Sequence, residues 1–171
     1  MPRPKAQGRP ICPLTSHQFA LSTVAAPAAV WTALTDAGLT HRCLHGLAGH
    51  SIWSPGAPLT LQSGSGSAGP PTAGQLTGHV LRAEPFRQLP YLLRSGLHDP
   101  PTFLTWQLRA TAGGTTLRLQ IDAIEGSSDD DAENMWLPVL AALSALLDPA
   151  SSRTKPATEE QAGPTSAAPI I

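Results

Sequence analysis

From about His17 onward, apolar and polar residues alternate with a period of two, the period of a strand covered on one face. Phe19, Leu21 and Thr23 share a face of this first strand, which the pattern carries to Val24. The rhythm breaks at Pro27. Val30, Trp31 and Leu34 then follow at helical spacing, and a proline in the first helical turn removes an N–H that would have no partner anyway. Asp36 is placed to cap a second short helix over roughly 37–44. Strand-like runs come next at 50–53, 58–62, 75–84, 88–95, 102–111 and 115–124, most of them bounded by turn residues.

The alternation also assigns faces. Leu104, Trp106 and Leu108 fall on one side of their strand, with Thr105, Gln107 and Arg109 on the other. Leu117, Leu119 and Ile121 repeat this against Arg118, Gln120 and Asp122, and Leu89, Tyr91 and Leu93 repeat it again. Ala112-Gly113-Gly114 predicts a tight hairpin between the last two strands. Pro90 lacks a ladder donor, so its strand is expected to lie at an edge or to face a bulge. Strands of this kind build an antiparallel sheet with one buried face.

A last segment changes period. Met135, Trp136, Val139, Leu140, Leu143, Leu146 and Leu147 trace a helical stripe after the acidic run Asp129–Glu133, whose carboxylates suit the positive end of a helix. Pro138 falls inside it, which predicts a kink or a late start near Leu137. The expected fold class is α+β: a curved antiparallel sheet wrapped around a long C-terminal helix, with two short helices after the first strand.

Composition narrows the picture. The chain has 171 residues, enough for one domain, and 15 glycines and 18 prolines, so much of it is loop. Residues 1–14 and 150–171 are expected to be disordered tails around a domain over 15–149, and the Gly/Ser/Pro-rich stretch 63–74 is expected to be a long hairpin connection. A net charge of −1 provides no overall electrostatic footprint for nucleic acid. The two cysteines, Cys12 and Cys43, have neither metal-type nor disulfide-framework spacing. Reduced thiols, no secretory signal and no membrane-length apolar run point to a cytoplasmic protein.

APAAVWTALTD at 26–36, WSPG at 53–56, GHVLRAEPFRQLPYLL at 78–93, GGTTLRLQI at 113–121 and WLPVLAALSALLD at 136–148 occur in an order that resembles the START/birch-pollen-allergen superfamily, SRPBCC. Within it, the chain is similar to the branch related to the activator of the 90-kDa heat-shock-protein ATPase. The resemblance implies a helix-grip fold, in which the long helix closes the sheet over an apolar cavity. Three features depart from the branch: Cys43-Leu44 stands where paired tryptophans are usual, Ala57 replaces a glycine after the Pro-Gly turn, and Pro90 interrupts a strand.

In such a cavity the expected lining is Trp53, Tyr91, Trp106, Leu119, Trp136 and Leu140, suited to a hydrophobic or aromatic small molecule with Tyr91 as a polar handle. For any one of these residues ordinary core packing is the simpler account; as a group they are the ligand candidates. His41, Cys43 and His45 in HRCLH invite a metal, but on a helix Cys43 points away from the two histidines, so no metal is expected. The inward faces are read as free of Asp, Glu, His and Lys, with Glu84, Asp122 and Glu125 on outward faces or strand ends, so no catalytic residue and no cofactor are expected. The resulting order of functions is a non-catalytic binder of a small hydrophobic molecule, then a module that binds a chaperone or other protein, then a cavity enzyme of the polyketide cyclase type.

Overall fold

The computed structural model describes residues 15–63, 75–96, 99–123 and 129–148. Both expected tails lie outside the described residues, as do Cys12 and all of the expected connection at 63–74 except Ser63, which ends a strand. The element order is β1 (Thr15–Thr23), α1 (Pro27–Thr35), α2 (Ala37–Cys43), β2 (Leu47–His50), β3 (Pro58–Ser63), β4 (Leu76–Val80), β5 (Gln88–Arg94), β6 (Thr102–Thr111), β7 (Gly114–Ala123) and α3 (Asp129–Leu147). The strands form one antiparallel sheet in the order β1-β7-β6-β5-β4-β3-β2.

The predicted faces hold across the sheet because the pairing register keeps the apolar residues in line. Phe19 stands opposite Leu119, Leu119 opposite Trp106, and Trp106 opposite Leu89. The next row links Ile121, Leu104, Tyr91 and Val80 in the same way. These side chains meet Val139, Leu140 and Leu143 of α3 and Val30, Ala33 and Leu34 of α1 in one hydrophobic core. A one-residue slip would send a whole row to solvent, so the helices and the register stabilise each other.

Local chemistry explains how the elements end. Asp36 Oδ1 accepts from the Leu39 amide at 2.9 Å and caps α2. His45 and Gly46, both with positive φ (50° and 78°), turn the chain from α2 into β2. That strand lies three residues before its expected place at 50–53. Leu47-Ala48-Gly49-His50 has neither clean alternation nor β-branched residues, but the Gly49 amide donates to Thr40 Oγ1 at 2.8 Å and its strand pairs with β3. Ile52 and Trp53 instead form a connection, with Ile52 exposed. β4 ends at Val80 rather than near 84. Beyond it Leu81 and Arg82 both donate to the Pro90 carbonyl, at 2.9 and 3.3 Å. Two residues there face one, a bulge on the side where Pro90 has no N–H to offer, although β5 is not an edge strand. Gly78 in β4 is required by proximity: a Cβ there would stand 1.7 Å from the Leu92 carbonyl oxygen.

α3 runs from Asp129 to Leu147 with Pro138 inside it, so the late start is not observed. The buried stripe also differs from expectation: Met135 is exposed, and Ala132 takes the inward position one turn before Trp136. No helix among the described residues is long and apolar enough to cross a membrane.

Candidate functional site

The six candidate residues are brought together on the concave side of the sheet, and four aromatic rings form a continuous line through it. Trp53 has φ 50°, a conformation that bulky residues rarely adopt, and its Nε1 donates to the Thr35 carbonyl at the end of α1 at 2.8 Å. Its ring meets Tyr91 edge to face, centroids 6.4 Å apart. Tyr91 Oη accepts from Trp106 Nε1 at 2.9 Å, and Trp106 meets Trp136 edge to face at 6.3 Å. Leu119 lies directly across from Trp106 on β7, and Leu140 joins the same core from α3.

Burial divides the six. Tyr91, Trp106, Leu119 and Leu140 are closed off from solvent, Trp106 with only 1% of its surface exposed, whereas Trp53 and Trp136 are half-buried. The two ends of the aromatic line are therefore the parts that another molecule can reach without displacing the core.

Polar chemistry inside this core is sparse. Burial pushes the Tyr91 phenol up to about 12; the hydrogen bond from Trp106 opposes the shift and the nearby Cys43 adds to it. Tyr91 is therefore a neutral phenol whose oxygen already accepts one bond. Among the described residues no acceptor takes its proton. Burial likewise raises the Cys43 thiol to about 11, with its backbone hydrogen bond and Arg42 opposing. Cys43 and Leu44, standing where the branch usually has tryptophans, are both buried and contribute packing, and the Cys43 sulfur turns toward the Thr40 carbonyl, 3.7 Å away.

The inward face is not free of titratable groups, contrary to expectation. His17 is buried on the concave side of β1, opposite Ile121, and its Nδ1 lies 3.0 Å from Asp129 Oδ1. The signal was present in the sequence, since residue 17 is in phase with Phe19 and Leu21. Asp148 is also buried, accepting from Thr23 Oγ1 at 2.8 Å and from the Val24 amide at 3.2 Å. No periodic argument could have found that contact, because its partners are 125 residues apart. Both groups sit at the ends of α3 and are engaged in holding it.

The HRCLH segment divides. His41 is exposed, Cys43 faces the core, and His45 Nε2 lies 2.7 Å from the Met135 carbonyl oxygen of α3. Among the described residues no three potential ligands converge on a metal position. Glu84 pairs with Arg82, and Asp122 accepts from Gln120 Nε2 on the sheet's other face. Glu125 lies outside the described residues.

A curled antiparallel sheet gripping a C-terminal helix, with two short helices after the first strand, places the molecule in the SRPBCC superfamily of helix-grip proteins. Residues 24–148 match the family described as activator of Hsp90 ATPase homolog 1-like protein, and the chain belongs to that family. Among solved structures it is similar to protein MLL2253 of Mesorhizobium loti, with 22% identity and a TM-score of 0.61 over 79% of this chain and 98% of that one. ChR145 of Cytophaga hutchinsonii is similar at 20% identity and a TM-score of 0.63, over 81% of this chain and 97% of the other. DynU16, a protein of the dynemicin biosynthetic locus, shares 21% identity with a TM-score of 0.62, over 79% of this chain and 48% of DynU16. Likeness at these identities shows the fold alone. No curated protein matches the chain.

Proposed function

We propose that this domain binds a small, mostly apolar molecule with aromatic character on the concave side of the sheet and does not transform it. The observation that carries the reading is the Tyr91 hydroxyl, which is buried, neutral and supplied with a donor by Trp106, while its own proton has no acceptor among the described residues. Such a group is a hydrogen-bond donor in an apolar setting, suited to orient one polar atom of a ligand that aromatic edges otherwise surround. Trp53 and Trp136 form the accessible ends of the line, and withdrawing apolar ligand surface from water favours binding by ~25 cal/mol per Å². The non-catalytic part of the reading is supported by the state of the groups at hand. Tyr91 and Cys43 hold their protons at neutral pH, and His17 and Asp148 are committed to α3.

Tryptophan fluorescence titration of the full chain against fatty acids, flavonoids and polyketide-like aromatics tests this. The expected result is saturable quenching by one ligand class, weakened by Trp53→Leu or Trp136→Leu, with the ligand recovered unchanged by mass spectrometry. Absence of saturable binding across the panel overturns the proposal, and recovery of an altered ligand overturns its non-catalytic part.

A second reading, a module that binds a chaperone or other protein, is favoured by one feature of the surface. Phe86 has φ 65°, is half exposed, and meets Trp31 of α1 edge to face at 6.2 Å, leaving an aromatic pair at the surface. The family description names an Hsp90 ATPase activator homologue, and a pull-down with purified Hsp90, lost on Phe86→Ser, would move the weight to this reading.

A further inference from the structure

The convex face of the sheet, opposite the aromatic line, carries an arrangement with no role in the core. Arg87 in the turn before β5, Arg109 on β6 and Arg118 on β7 line a single groove of about 830 Å³ together with Gln88, Gln107 and Glu84. The register explains their convergence. Gln88 stands opposite Gln107, and Gln107 opposite Arg118, so these three form one line across β5, β6 and β7. Arg109 is two residues beyond Gln107 and pairs with Thr116, which makes it the diagonal neighbour of Arg118. The Arg87 carbonyl accepts from the Leu108 amide at 2.8 Å, which places Arg87 across from Leu108, one residue before Arg109.

Three guanidinium groups in one groove repel one another unless something compensates them. Among the described residues no carboxylate pairs with Arg87, Arg109 or Arg118, and the carboxylate in the groove, Glu84, is engaged by Arg82. The chain's net charge of −1 conceals this concentration, because Asp129, Asp130, Asp131 and Glu133 gather at the start of α3. A cleft in which one sign of charge predominates concentrates counter-ions.

We propose that this groove is a binding site for a compact small-molecule polyanion carrying two or more phosphate or carboxylate groups. Arginine presents a planar fork that bonds either group through two N–H donors, and the flanking glutamine amides add neutral donors to the same surface. The groove's volume lies within the ~300–1,000 Å³ of small-molecule sites. Its lining has no aromatic ring on which a base could stack, which sets it apart from platforms that hold single-stranded nucleic acid. A smaller groove of about 320 Å³ continues from Gln107 and Arg118 toward β1, giving a longer ligand room along the same face.

Isothermal titration of the full chain with inorganic tripolyphosphate and, separately, with citrate tests the site and distinguishes phosphate from carboxylate chemistry. Arg109→Gln and Arg118→Gln are each expected to weaken binding about tenfold or more, the loss of a charged hydrogen-bonding partner. Arg94→Gln is the control: it alters an exposed arginine on the same face that lines a different groove. It is expected to leave affinity within about twofold. All three positions are exposed, so melting temperatures of the variants should match that of the unaltered chain. No binding of either probe at low salt, an equal loss in the Arg94→Gln control, or binding confined to polyglutamate or single-stranded DNA each overturns the proposal. None of these outcomes depends on whether the concave side takes an apolar ligand.

Discussion

Thr23 Oγ1 donates to Asp148 Oδ1 across 2.8 Å, joining the end of the first strand to the residue that terminates the last helix. The same carboxylate oxygen accepts from the Val24 amide, and Thr23 Oγ1 in turn accepts from the Ala25 amide at 3.1 Å. At the other end of α3, His17 of the same strand meets Asp129. The helix is thus held to β1 at both ends, while apolar packing holds its middle. Asp148→Ala removes the acceptor for two donors in a buried setting, and the expected loss is roughly 1–3 kcal/mol. Thr23→Val should lose a similar amount, and the double variant much less than the sum, because both changes break the same bond. Urea unfolding of the four proteins measures this; additive losses would mean that the two residues act independently.

The Tyr91–Trp106 bond is expected to matter more to stability than its single hydrogen bond suggests. In Tyr91→Phe the indole N–H stays buried without an acceptor, at a cost of about 1–3 kcal/mol. The Phe ring keeps the edge-to-face contact with Trp53, so packing changes little. A melting midpoint equal to that of the unaltered protein would show that water or another acceptor reaches Trp106.

Alkali should destabilise the fold, because two buried groups hold their protons to higher pH in the folded protein than in the unfolded chain. Tyr91 titrates near 12 and Cys43 near 11 in the folded protein, both raised chiefly by burial. In the unfolded chain these groups lose their protons near their ordinary values of about 10 and 8.5. Between about pH 8.5 and 12 the unfolded state therefore holds fewer protons, and stability falls as pH rises. The stabilisation from neutral Tyr91 and Cys43 is complete below this range and lost through it. Tyr91→Phe and Cys43→Ala should each flatten the decline in chemical-denaturation midpoints, and unchanged slopes would show that other groups govern it.

Leu140 lies in the apolar interior where α3 faces the sheet. Leu140→Asp would put a carboxylate there with no partner, a change that costs several kcal/mol and rivals the roughly 5–15 kcal/mol that stabilise a domain. The variant is expected to be unfolded by circular dichroism at 25 °C. Met135→Asp, on the exposed side of the same helix, should melt close to the unaltered protein.

Much of this architecture was legible in the residues because the period of side-chain burial is set by local backbone geometry. Alternation over the expected strands at 102–111 and 115–124 assigned residues 104–109 of β6 and 117–122 of β7 to their faces, and Pro27 and Asp36 marked where the two short helices begin. Order along the chain was enough to point to the family. Tertiary structure decided what local periodicity does not contain. β2 formed at Leu47–His50 rather than at Ile52–Trp53 because pairing with β3 and the Gly49–Thr40 bond outweigh strand propensity. Met135 turned outward and Ala132 inward because of how α3 packs against β1, α1 and α2. The joining of Tyr91 to Trp106 and of Thr23 to Asp148, and the diagonal placing of Arg109 and Arg118, all depend on how the strands and helices come together. Those are properties of contacts between residues far apart in the chain, so the chemistry of both faces became visible only once the sheet was assembled.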